Sequence, residues 1–303
     1  DWAAARPVRE STERQDRSYL THLDSTALGG LPITRVRPTD VQAFVADRAR
    51  VLAPTTVANV YGWVKAVFAD AVENRRIVAT PCTSKIRVPK RVRTDIVPLT
   101  VAQVHALAEA APPRYAVGVV LQAACGLRIS ELLAVQVRDV DFLRRTVRVE
   151  RQLARDGRRF VTPKTHHSTR TIPLARDVVP LLAAHVAANP PNVDGVILTT
   201  TAHNPVRQDL YSERVIRPAV AAAGLPADTT SHDLRHHFAS VLLRQGVPAN
   251  VVGRYMGHST AALVLDTYGH LMPDSDQVTR QALDALWSPD VSSDVSHEGI
   301  HPL

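Results

Sequence analysis

Apolar residues recur along the first third of the chain with the spacing of helices. After Pro54-Thr55-Thr56, the residues Val57, Val60, Tyr61, Val64, Val67, Phe68 and Val72 fall close to i, i+3, i+4, i+7 intervals, which puts them on one helical face. A shorter helix is predicted after Asp40 through Val41, Phe44, Val45 and Arg48, with Pro38-Thr39-Asp40 as its N-cap region. Residues 1–20 are polar, with Arg6, Arg9, Arg14 and Arg17, and read as a frayed arm or an incoming helix. Residues 1–83 are thus expected to form a small all-helical domain. Pro81, Pro89 and Pro98 then break the pattern. Lys85, Arg87, Lys90, Arg91 and Arg93 make residues 84–98 a basic interdomain linker, which is either a solvated surface or a strip that tracks phosphates.

A second domain is predicted over residues 99–288. Thr100 suits the N-cap of a helix through Ala110, a further helix covers Ala116–Ala124 and stops at Gly126, and Glu131–Val135 reads as the next. The period then shifts to two. Thr146-Val147-Arg148-Val149-Glu150 and Arg159-Phe160-Val161-Thr162 alternate around Asp156-Gly157, which predicts a hairpin, and Arg170–Leu174 supplies another short strand. From Val178 to about Trp287 the pattern is mostly helical, and residues 289–303 form a polar, flexible tail. The expected fold class is mainly α with a small antiparallel β-sheet.

Composition narrows the partner. At 303 residues the chain is long enough for two cores, and with only 5% aromatics Val, Leu, Ala and Ile must fill them. Lys plus Arg is 36 against 29 for Asp plus Glu, a net charge of +7. That excess suits a polyanion, nucleic acid being the commonest, although an anionic membrane surface would also attract it. No apolar run is long enough to span a bilayer and no signal peptide is recognisable, so no membrane association is expected. Cys82 and Cys125 form no CxxC pair, which makes a reducing cytosol the default compartment and both thiols small buried apolar groups.

Four segments carry candidate chemistry: Cys125-Gly126-Leu127-Arg128-Ile129-Ser130-Glu131-Leu132; Thr162-Pro163-Lys164-Thr165; His232-Asp233-Leu234-Arg235-His236-His237-Phe238-Ala239; and Met256-Gly257-His258-Ser259 followed by Leu265-Asp266-Thr267-Tyr268-Gly269-His270. Taken singly, each has an ordinary explanation. Arg128 and Glu131 would make a surface i,i+3 ion pair. Lys164 is one exposed strand charge among many. His232 and His236 have a zinc-like spacing, but Asp233 replaces the glutamate of HExxH and no third ligand is marked. Tyr268 is a packed aromatic.

Together, and in this order, G-L-R-x-S-E-L, K-T-x-x-S-x-R, H-x-L-R-H, G-H-S and D-x-Y-x-H resemble the tyrosine recombinases, also called phage integrases. The resemblance covers the whole second domain. It implies a mixed α/β tyrosine-recombinase catalytic domain preceded by a helical core-binding domain that together clamp a duplex. By that resemblance Tyr268 attacks a DNA phosphate and forms a 3′-phosphotyrosyl bond. Arg128, Arg235 and His258 hold the phosphate, His232 takes the tyrosine proton, Lys164 protonates the departing 5′-oxygen, and Glu131 supports Arg128. The chemistry is coherent. Guanidinium forks stay charged and bind phosphate oxygens bidentately, and a phenol with an ordinary pKa of about 10 needs a proton acceptor. The scheme requires no metal and no other cofactor. His166, His167, His236, His237 and His270 are left with structural or DNA-contacting roles.

The resemblance further implies a homotetramer acting on attachment-type sites in double-stranded DNA, near the nucleoid. It leaves room for an accessory DNA-bending or directionality factor and for an arm-site domain ahead of Asp1. Leu283, Leu286 and Trp287 are candidate anchors for a neighbouring protomer. Two rival readings remain, a type IB topoisomerase, which would relax supercoils without recombining, and a non-catalytic DNA-binding relative, which would tolerate Tyr268→Phe.

Overall fold

In a computed structural model that describes residues 7–8, 10–90, 96–163, 168–272 and 275–287, the chain divides into two units, Asp1–Thr94 and Asp95–Leu303. The first is built on α1 (Glu10–Asp24), α2 (Pro38–Ala49) and α3 (Pro54–Glu73). Pro38 and Pro54 occupy first-turn positions, where the missing N–H would have no helical acceptor anyway. The α2 start lies slightly upstream of the expected one: Asp40 accepts the backbone N–H of Arg37 at 2.8 Å, so Arg37 is the cap. The predicted stripe closes the core, with Val57, Val60, Val64 and Phe68 packed on Val41, Phe44 and Val45. Trp63 donates its indole N–H to Asp16 at 2.9 Å, which ties α3 to α1.

The basic segment is partly tethered to this unit. Gln42 of α2 accepts the Arg87 N–H at 2.7 Å and donates to the Arg87 carbonyl at 3.2 Å, and Ile86 and Val88 rest on the core. Arg91 and Arg93 lie outside the described residues, as do Arg6, Arg9 and residues 288–303.

The second unit opens with α4 (Val101–Ala110). Thr100 accepts the Gln103 N–H at 3.2 Å while the Gln103 side chain accepts the Thr100 N–H at 2.8 Å, a reciprocal cap. Then α5 (Pro113–Cys125) ends at Gly126, whose φ of +60° favours glycine. The next helix, α6, is the single turn Ile129–Leu132, shorter than expected. The chain leaves it because Val135 and Val137 pair outward: the Val135 carbonyl accepts the Ile197 N–H, and the Val137 N–H donates to Gly195.

The strands are β1 (Val140–Asp141), β2 (Thr146–Val149), β3 (Gln152–Leu153), β4 (Phe160–Val161) and β5 (Arg170–Pro173). They form one antiparallel sheet ordered β1-β2-β5 and a separate β3-β4 ribbon. The expected hairpin therefore changes partner. Asp156-Gly157 joins β3 to β4, whereas β2 pairs with β5, Val147 opposite Ile172 and Val149 opposite Arg170. Turn chemistry is local, but burial selects the partner, and all four of these residues are buried on one face.

After α7 (Val178–Ala188), α8 (Gln208–Tyr211) runs through a π-helical turn into α9 (Arg217–Ala222). Then come α10 (Ser231–Arg244), α11 (Ala249–Met256), α12 (Ala261–Tyr268) and α13 (Ser275–Trp287). One core unites Leu107, Leu121, Leu132, Ile172, Leu234 and Val264, and α10 packs directly on α5. Leu283, Leu286 and Trp287 are exposed on α13. Among the described residues no helix is long and apolar enough to cross a membrane.

Candidate active site

Arg128 sits between two fully buried leucines, Leu127 and Leu132. Each contributes about 1.5–3 kcal/mol of burial, which anchors the short segment carrying the arginine. The arginine itself is partly exposed but not free to swing. Its Nη1 donates to Glu131 at 2.8 Å, its backbone N–H donates to the same carboxylate at 2.9 Å, and its Nη2 reaches the Gly257 carbonyl at 3.3 Å.

Glu131 is 2% exposed and would be a costly lone charge. It is held by a residue that sequence reasoning left out of the site. Arg170, on the buried face of β5, grips it with both Nη atoms at 3.0 and 2.8 Å and also donates to the carbonyls of Ser168 and Tyr255. Burial acts to raise the Glu131 pKa, but Arg170 and then Arg128 outweigh it and hold the carboxyl below its ordinary value. Alternation along β5 offered a signal, since Arg170 shares its face with Ile172, and a buried arginine calls for a carboxylate.

Helix α10 supplies the second arginine. Its start is fixed by Thr230, which accepts the His232 N–H at 3.2 Å while Asp233 accepts the Thr230 N–H at 2.8 Å. Arg235 is 2% exposed and donates to the carbonyls of Gly126 and Met256, and its Nη2 lies 3.1 Å from His258 Nε2. Burial, with Arg128 adding to it, pushes its guanidinium down to about 9, which leaves it charged at neutral pH. A guanidinium only donates, so His258 presents the Nε2 lone pair to it and the neutral ring carries its proton on Nδ1. That Nδ1 is buried and has no hydrogen-bond partner among the described residues. Burial, followed by Arg235, Arg128 and Arg170, lowers His258 to about 4.

Tyr268, the last residue of α12, is 2% exposed. Burial pushes its hydroxyl up to about 12, against the pull of Arg235. His232 is the expected proton acceptor, and the ring that the Tyr268 oxygen meets in the free chain is His236, whose Nδ1 lies 2.6 Å away. His232 is exposed at the start of α10 and meets His236 edge-on, ring centroids 4.5 Å apart. His237 turns away and bonds the Leu99 carbonyl at 2.7 Å, and His270 bonds the Ile96 carbonyl at 3.2 Å.

The fold thus brings together Arg128, Glu131, Arg235 and His258, and sets Tyr268 on the residue that follows Arg235. Lys164, His166 and His167 lie outside the described residues. Beside His258 opens a cavity of about 390 Å³ lined by Arg170, Asn250, Arg254, Ser259 and Thr260. Among the described residues no three His, Cys, Asp or Glu side chains are grouped to hold a metal ion.

Residues 98–274 match the model of the phage integrase family. A XerC-like tyrosine recombinase of Caldanaerobacter subterraneus is 24% identical over 301 residues, covering 89% of this chain and 76% of that protein. The integrase of Mycobacterium phage FRAT1 is 26% identical over 271 residues, covering 87% of this chain and 80% of that one. Among solved structures, the Tn1549 transposon integrase in complex with a circular intermediate DNA superposes with a TM-score of 0.81 at 23% identity, over 92% of this chain and 95% of that one, which shows a shared fold.

Proposed function

The chain belongs to the phage integrase family and is a site-specific DNA recombinase, and we propose that it cuts and rejoins double-stranded DNA through a phosphodiester bond to Tyr268. The observation that carries this reading is the convergence of Arg128, Arg235 and His258 near a buried tyrosine whose hydroxyl already meets an imidazole. A phosphate in mid-transfer gains charge on its nonbridging oxygens, and pre-placed guanidinium groups stabilise that charge without reorganising. Tyr268 is the nucleophile. Arg128 and Arg235 with His258 bind the phosphate. Glu131 fixes Arg128, and His232 takes the phenolic proton. Lys164 protonates the departing 5′-oxygen. No metal or other cofactor takes part, since the fixed cations already supply the positive charge the transition state needs.

The first unit is the core-type DNA-binding domain. With the basic segment it adds phosphate contacts, so affinity will fall with salt. Four protomers assemble on two attachment-type sites at the nucleoid, assisted by an accessory DNA-bending or directionality factor. Leu283, Leu286 and Trp287 are suited by their exposure to meet a neighbouring protomer.

The test is strand exchange in vitro between labelled duplexes drawn from DNA flanking the gene. Recombinant product that disappears in Tyr268→Phe supports the reading. Relaxation of supercoiled plasmid with no recombinant product would favour the topoisomerase reading, and exchange that survives Tyr268→Phe would overturn the role of the tyrosine.

A further inference from the structure

We infer that Arg170 is a positioning residue for strand cleavage, acting through Glu131 and the C-terminal turn of α11 to fix the Arg128 guanidinium that binds the phosphate. The inference rests on the strand-cleavage reading above and deepens it. A helix leaves its last carbonyls without helical donors, and they carry the negative end of its dipole. At the end of α11, Gly257 has a φ of +68° and turns the chain back, so that the His258 and Gly257 N–H groups take the Gly253 and Arg254 carbonyls at 2.9 and 3.1 Å. The next three carbonyls each receive a different arginine: Tyr255 from Arg170, Met256 from Arg235 and Gly257 from Arg128. His258 follows directly. One turn of backbone therefore ties both phosphate-binding guanidinium groups, and the histidine beside them, to Arg170.

Arg170 and Arg128 differ in what they have left to give. A guanidinium carries five N–H donors. Arg170 spends four on the protein: two on the Glu131 oxygens at 3.0 and 2.8 Å, one on the Ser168 carbonyl at 2.9 Å and one on the Tyr255 carbonyl at 2.5 Å. Its side chain is 3% exposed, so it does not reach the phosphate itself. The Arg128 side chain is 36% exposed and donates two hydrogen bonds among the described residues, which leaves three N–H groups for a phosphate. Glu131 links the two. Its Oε1 accepts Nη1 of both arginines, and its Oε2 accepts Arg170 Nη2 and the Arg128 backbone N–H. Arg170 thus fixes the plane of the carboxylate, and the carboxylate fixes Arg128 by side chain and backbone together. From the other side, the Tyr255 contact braces the turn whose Gly257 carbonyl holds Arg128 Nη2. Arg170 is itself anchored, since its backbone pairs with Val149 in the β2–β5 ladder. Without it, Glu131 can rotate and Arg128 loses its alignment.

The experiment uses the full chain and nicked duplexes on which the wild type has already formed an adduct that Tyr268→Phe does not form, so the strand-cleavage reading is tested separately. Single-turnover rate constants and adduct amplitudes are measured with DNA in excess for wild type, Arg170→Met, Arg128→Lys and both changes together. DNA affinity is measured in parallel, and all assays run below the melting point of every variant. A phosphate-binding group misplaced by about 1 Å loses on the order of 10²-fold in rate, and that is the loss expected of Arg170→Met, with affinity within about threefold of wild type. A chain that is merely destabilised would lose amplitude, because fewer molecules are folded, and keep the rate constant of those that are. Because Arg170 acts through Arg128, the loss in the double variant should fall at least about tenfold short of the product of the two single losses. Should Arg170→Met not fold, Arg170→Lys carries the same comparison with an expected loss of about tenfold, since an ammonium keeps the charge beside Glu131 but cannot span both carboxylate oxygens and the Tyr255 carbonyl. A rate constant within about threefold of wild type, or single losses that multiply in full, would overturn the inference and leave strand cleavage by Tyr268 intact.

Discussion

Arg170 offers the sharpest test of how the site is held. Its guanidinium and the Glu131 carboxylate are 3% and 2% exposed, so Arg170→Met removes one partner of a fully buried pair. Such a deletion costs about 3–5 kcal/mol, chiefly because the remaining charge is stranded. Here Arg128 still supplies Glu131 with two hydrogen bonds, which argues for the lower end, about 3 kcal/mol. The Tyr255 and Ser168 carbonyls also lose a donor, which keeps the figure from falling much further. For a unit of this size, 3 kcal/mol lowers the melting temperature by roughly 6–12 °C. Calorimetry is the suitable assay, because two compact units can melt separately. Adding Glu131→Gln to Arg170→Met should restore more than half of the loss by removing the stranded charge. A single-variant loss below about 1 kcal/mol, or a double variant worse than the single, would refute the assignment of the cost to a stranded carboxylate.

Other perturbations follow from the same geometry. Gly126→Ala forces a side chain into the left-handed region and places its Cβ 2.4 Å from the Phe238 ring; chemical denaturation should show a loss of about 2–4 kcal/mol with a weakened Arg128 site. His236 and His258 are held at about 4 in the folded chain. The unfolded chain therefore binds protons first, and stability should fall as pH drops from about 6.5 to about 4, then level off. Both rings are only partly buried, so the loss is roughly 1 kcal/mol each, read from urea midpoints across that range. Tyr268→Phe leaves His236 Nδ1 without its described partner and should cost about 1 kcal/mol in the same assay while sparing DNA binding.

What was legible in the chain depended on how local its cause was. The α3 stripe, the Thr100 cap and the Gly126 stop are written within a few residues of themselves. The β2–β5 pairing was not, because a turn signal at Asp156-Gly157 marks where the chain reverses but not which strand it meets. The site divides in the same way. Arg128, Arg235, His258 and Tyr268 stand out as ordered motifs, and the fold brings the first three into contact through main-chain carbonyls that no sequence pattern announces. Arg170 meets Glu131 across 39 positions, and His236 meets Tyr268 across 32. Both depend on tertiary packing. His236 was also masked by its neighbours, since His232, His236 and His237 offer three imidazoles within six residues and only the packing of α12 on α10 selects one.

Recombination by this chain requires that Tyr268 become covalently joined to DNA. The most direct measurement is mass spectrometry of the adduct trapped on a nicked duplex. Trypsin should release the peptide from Tyr255 to Arg280, and fragmentation within it should locate the nucleotide-phosphate mass. That mass is expected on Tyr268, linked through a 3′-phosphate, with Tyr255 unmodified. An adduct on Tyr255, or strand exchange that proceeds with no tyrosine-linked nucleotide, would contradict it.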